Sequence, residues 1–136
     1  MDLEAVSTEI GTALAGIIGL RIPAWGVESV EPPAAIVALP DRIDFDETYG
    51  RGKDHYPDLP VVILVGAPED RASRKALAAY AAGSGSKSVK AVLEAYAWTT
   101  CESVRVAWAE FDQGAEYAGT PLLAAIFHLD IIGKGA

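Results

Sequence analysis

Runs of apolar residues broken by polar punctuation set the elements expected along this chain. Val61 to Val65 are five consecutive apolar, mostly β-branched positions, a pattern that predicts a short central strand covered on both faces. Gly66 and Pro68 mark its exit. Glu69 and Asp70 then place carboxylates where the positive end of a helix dipole would lie, and Ala72, Ala76, Leu77 and Tyr80 recur at helical spacing. Leu59 to Tyr80 therefore predicts one buried strand leading into one amphipathic helix closed by Gly83 and Gly85, with the remaining elements packed on that unit.

Upstream, Asp2 is a good N-cap, and Leu3, Val6, Ile10, Leu14 and Ile17 follow at steps of three and four, predicting a helix over 3–18 that ends at Gly19. LRIPAWG reads as a short extended piece, confined by Pro23 to an edge or a bend. Ala34 to Leu39 reads as a strand ended by Pro40 and Asp41. Downstream, Ser86 or Ser88 is expected to cap a second short helix carrying Val89, Val92, Leu93 and Tyr96 on one side. Two strands close the chain. Val104, Val106 and Trp108 alternate with Arg105, Ala107 and Ala109 in the first, which ends at Phe111. Leu123, Ala125, Phe127, Leu129 and Ile131 share a face in the second. Asp112 to Pro121 is expected to be the loop between them, and Leu122 to Ile132, if all strand, is long enough to project toward a neighbour. The order predicts a single α+β domain over 1–136, a mostly antiparallel sheet with helices packed on one face.

Arg42 to Pro57, RIDFDETYGRGKDHYP, breaks the pattern, setting Ile43, Phe45 and Tyr49 among charges of both signs. Part of it is expected to extend the preceding strand or to form a hairpin turning at Gly50 to Gly52, with the remainder too polar for a core. A polar excursion of this length between two strands points to function or assembly. Asp44, Asp46, Tyr49, Arg51, Lys53 and His55 are accordingly the candidate subunit contacts.

The 136 residues suffice for one self-sufficient core. No apolar run reaches the roughly 18 residues of a membrane span, and the acidic opening MDLEAVSTEI is unlike a secretory leader, so a soluble, unexported protein with no membrane contact is expected. With 11 basic against 19 acidic residues, the net charge of −8 argues against a protein that grips nucleic acid through its phosphates. Cys101 is the only cysteine, so no intrachain disulfide forms.

Candidate chemistry is sparse. GSGSKS at 83–88 has Ser86 where a phosphate loop needs glycine before the lysine, and a helix instead of a strand precedes it. Asp44, Asp46, Glu47, Asp54, His55 and Asp58 form an acidic cluster able in principle to hold a hard cation, without EF-hand spacing; a solvated loop or salt bridges to Arg51 and Lys53 fit it better. His128 and Asp130, two apart on one strand face, project side by side and fit a structural or interface role. Cys101 reads as a small buried hydrophobe. No nucleophile, base and orienting group come together, so no enzyme, metal or cofactor is expected.

Several stretches together nevertheless resemble a family: DLEAVSTEIGTALAGIIGLRI, PPAAIVALPDRIDFDETYGRGKDHYPDLPVVILVG, EDRASRKALAAY with SGSKSVKAVLEA, SVRVAWAEF and LLAAIFHLDIIG. They are similar to the tail terminator proteins of long-tailed, non-contractile phages, particularly those infecting actinobacteria. The similarity spans nearly the whole chain and is stronger in its first half. It implies an α+β virion subunit, assembled in the host cytoplasm, that forms a hexameric ring. The ring would cap the tail tube, end its polymerisation and meet the head-tail connector or head-closure protein, with genomic DNA passing through without specific binding. The family has no catalytic residues to carry over. Another neck component, a tail tube subunit, and a small cytosolic enzyme or ligand-binding domain using the His128 face remain the alternatives.

Overall fold

In a computed structural model, residues 1–23, 32–45, 52–117 and 119–134 are described. They form α1 (Leu3–Leu14), β1 (Ala34–Val37), β2 (Lys53–Leu64), α2 (Arg71–Tyr80), α3 (Val89–Ala95), β3 (Ser103–Tyr117) and β4 (Thr120–Lys134). The strands make one antiparallel sheet in the order β1-β2-β4-β3. All three helices lie on one face of it. Val6, Ile10 and Leu14 of α1, Leu77 and Tyr80 of α2, and Val89 and Leu93 of α3 pack in one core with Val61, Ile63, Phe127, Leu129 and Ile131. The chain is thus the expected α+β domain. Each aliphatic side chain leaving water in this core contributes about 1.5–3 kcal/mol, and a one-residue slip of β4 would turn all of its core residues outward at once. That cost pins the register.

Helix α1 is shorter than its apolar periodicity. It stops at Leu14, with Ala15 as C-cap, and the chain continues in tight turns in which Ile17 N–H bonds Leu14 O at 2.9 Å. Gly16 and Gly19 weaken any further helix, and Gly19 takes φ +86°. Ile17 is buried all the same while Ile18 is exposed, so the spacing correctly marked what is buried and overshot the helix. LRIPAWG contributes a single parallel bridge, Arg21 with Ala34; its last residues lie outside those described. Asp70 and Ser88 cap α2 and α3 through bonds from Ala72 N–H (2.9 Å) and Ala91 N–H (3.1 Å).

Three expectations about the sheet are corrected. The central strand does lie between β1 and β4, but it starts at Lys53, taking in residues read as too polar for a core. Alternation explains this: Asp54 and Tyr56 turn toward the helices and are buried, and a bulge between Tyr56 and Leu59 absorbs Pro57, which cannot supply a ladder hydrogen bond. Asp112 to Pro121 is no loop. β3 and β4 continue through it as one hairpin, closing with the pair Tyr117–Thr120, and Gly119 at φ +77° supplies the left-handed turn residue. Trp108, finally, does not share a face with Val104 and Val106. A bulge between Val106 and Trp108 leaves Ala107 unpaired and switches Trp108 to the face away from the helices.

Candidate functional site

That second face of the sheet carries a polar cluster centred on His128. On β4, alternation sends Phe127, Leu129 and Ile131 into the core and leaves His128 and Asp130 on the reverse side. The two bulges flank His128, β2's on one side and β3's on the other, and they aim Asp58, Trp108 and Glu110 at it. His128 Nδ1 lies 2.6 Å from Asp58 Oδ1 and its Nε2 lies 2.9 Å from Glu110 Oε1. A ring held between two ionised carboxylates, which only accept hydrogen bonds, donates from both nitrogens as an imidazolium. The Trp108 indole stacks on it with centroids 3.8 Å apart and planes within 5°, a cation–π contact that covers the ring, which is 8% exposed. Burial works to lower the pKa of His128, but the hydrogen bonds and charges of Asp58 and Glu110 outweigh it and raise it above 6.5. With both nitrogens engaged, neither is left to serve as a base or a ligand in this state.

Asp130 shares the face of His128 as expected, but takes its partner from another strand, pairing with His55 of β2. Each histidine thus ties β4 to β2 through a carboxylate.

The predicted contact residues fall into two groups. Asp44, Lys53 and His55 find partners within the chain. Asp44 exchanges backbone bonds of 2.8 Å with His55 and accepts from Arg42 Nε at 3.1 Å, while Lys53 pairs with Glu102. Asp46, Tyr49 and Arg51 lie outside the described residues. Asp44 and His55 form an isolated antiparallel bridge, and the turn expected at Gly50 to Gly52 falls largely outside the described residues. The described members of the acidic cluster read from the sequence are dispersed: Asp54 points to the helical face and accepts from the Met1 amino group at 2.8 Å, Asp58 meets His128, and Asp44 meets Arg42; Asp46 and Glu47 lie outside the described residues. Among the described residues no group of three or more His, Cys, Asp or Glu is arranged to hold a metal ion.

Trp108, Glu110 and Asp58 were missed as a unit by sequence reasoning. Their meeting depends on two bulges that strict alternation does not announce; the one available signal was Pro57 inside an otherwise strand-like run.

Two grooves lie elsewhere. One of about 460 Å³ runs along α1 between Glu4, Glu9, Thr12 and Tyr96, and one of about 320 Å³ lies where α2 meets the hairpin, lined by Arg74, Leu77, Phe111 and Leu123. Phe111, facing the second groove, is 59% exposed.

No model of a known protein family matches the chain, and no curated protein is significantly similar to it. Among the described residues no helix is long and apolar enough to cross a membrane.

Proposed function

We propose that the chain is a structural virion subunit, a tail terminator that closes with its own copies into a ring, caps a phage tail tube, ends its polymerisation and joins it to the head connector. The observation that carries this reading is the edge of β3. It is a 15-residue outer strand, on the order of 50 Å long, and among the described residues no strand pairs with its far side. Its hairpin with β4 also runs past the last β2–β4 pair, Leu64 with Ala124, to the pair Tyr117–Thr120. Apart from Val106 N–H, which donates to Glu94, and Gly114 N–H, which donates to Asp112, the long edge bearing exposed Trp108 and Phe111 is a template for another chain. The resemblance to tail terminators supplies the identity of that neighbour as a second copy.

Six copies at −8 each give a strongly acidic ring, a channel through which DNA would slide without sticking. The neighbour contacts are the β3 edge together with Asp46, Tyr49 and Arg51, which lie outside the described residues. Asp44, Lys53 and His55 are already paired within the chain. Electron microscopy of the purified chain tests the reading against its nearest rivals: discrete rings of one size are expected, whereas long cylinders mean a tube subunit and dispersed single particles overturn assembly altogether.

A further inference from the structure

We propose that His128 is a protonation-gated clamp: as an imidazolium it fastens the bulges of β2 and β3 to β4, and on losing a proton it lets go of Glu110 and frees the β3 bulge with Trp108. The geometry dictates both halves. Three neighbouring strands each contribute one member of the Asp58–His128–Glu110 chain, and the irregularity in β2 and the first of the two in β3 fall at the level of His128. A neutral imidazole has one N–H, so one carboxylate must then face a ring lone pair, acceptor against acceptor. The bond to Asp58 is the shorter, 2.6 against 2.9 Å, and Asp58 stands on a central strand. Glu110 stands on the edge strand with its side chain half exposed, so it is the partner that swings into water.

The other charged groups around the clamp do not take its place. Asp130, two residues along β4, is held by His55 of β2 and lies in register with Arg105 of β3. Asp112 lies in register with Ala124, further along the hairpin. Asp41, in the segment beside β2, donates its backbone N–H to Asp58 O at 2.8 Å. The helices pack against the reverse face of the sheet. The raised pKa fixes the direction. The clamp is fully closed below the ordinary histidine value of 6.5 and opens as pH rises through the higher folded-state value. The device is internal to one copy and holds whether or not the chain closes into a ring.

Histidine C2-hydrogen exchange read by mass spectrometry, which works at any particle size, gives the midpoint for His128. Amide exchange of the 106–110 peptide, corrected for intrinsic rate, gives the state of the bulge. In the wild type the midpoint is expected above 6.5, with protection of 106–110 falling across it. Glu110→Gln offers an oxygen acceptor to the protonated ring and an amide donor to the neutral one, so its bulge protection is expected to lose the pH dependence while the protein stays folded. Asp58→Asn is expected to move the midpoint down. A wild-type midpoint at or below 6.5, or bulge protection that ignores the His128 transition, overturns the clamp.

Discussion

Glu9 carries, at the scale of a single residue, a tertiary bond that its position on an amphipathic helix conceals. Its carboxylate leaves α1 to accept from the backbone N–H and the hydroxyl of both Thr99 and Thr100, at 2.6–3.2 Å. Burial works to raise its pKa, but those four donors outweigh it and hold the group down at about 2 instead of 4.5. A depressed carboxylate pKa adds stability that is present above 4.5 and lost as pH falls toward 2. Glu9→Gln is therefore expected to lose about 1 kcal/mol near neutrality, below the roughly 1.5–3 kcal/mol of hydrogen bonds to a charged group because the site is open to solvent. It should also flatten the fall in melting temperature between pH 4.5 and 2, as calorimetry would show; an unaltered acid limb would contradict the assignment. Cys101, on the segment after those threonines, reads the same from sequence and structure: burial pushes its thiol up to about 11, with the Glu9 charge adding to the rise, so it behaves as a small apolar side chain.

The elements show where pattern suffices and where it fails. β4 was legible because its inward residues alternate without interruption, and their burial outweighs any competing register. The start of α2 was legible from the carboxylates of Glu69 and Asp70, of which Asp70 is the N-cap, and the cap of α3 from Ser86 or Ser88, of which Ser88 serves, because such short-range chemistry needs no partner from elsewhere. The first half of β2 was not, because its polar residues are satisfied across the sheet, Asp54 by the Met1 amino group, His55 by Asp130 and Asp58 by His128. Nothing local in the sequence reports partners 53 to 75 positions away. The face of Trp108 failed for one residue. Ala107 is the inserted position of the β3 bulge, and its deletion would make Val106 and Trp108 adjacent ladder positions on opposite faces, leaving Trp108 opposite His128. Deleting Ala107 is therefore expected to keep cooperative unfolding, and Ala107→Ser, at an exposed site, should shift the melting temperature little. Loss of cooperative unfolding in the deletion would contradict the role given to the bulge.

At the scale of the whole molecule, the asymmetry of the sheet carries the functional reading. One face is sealed by three helices; the other has histidine clamps in place of helices, and one edge runs out into a long hairpin. Phe111 marks the junction of that edge with the groove beside Arg74. Phe111→Glu places a carboxylate near that guanidinium and removes only a largely exposed ring, so the single chain should keep its fold while losing its grip on a neighbour. Circular dichroism unchanged beside a smaller assembly is the expected result; an assembly of unaltered size would remove β3 from the interface.

The central claim, that identical copies close into a ring, is tested most directly by native mass spectrometry of the purified chain over a wide range of concentrations. A chain of 14.3 kDa is expected to give one dominant species of fixed copy number, six by family resemblance, that persists on dilution. A mass of 14.3 kDa at the highest concentration, or a ladder of ever larger species, would contradict it.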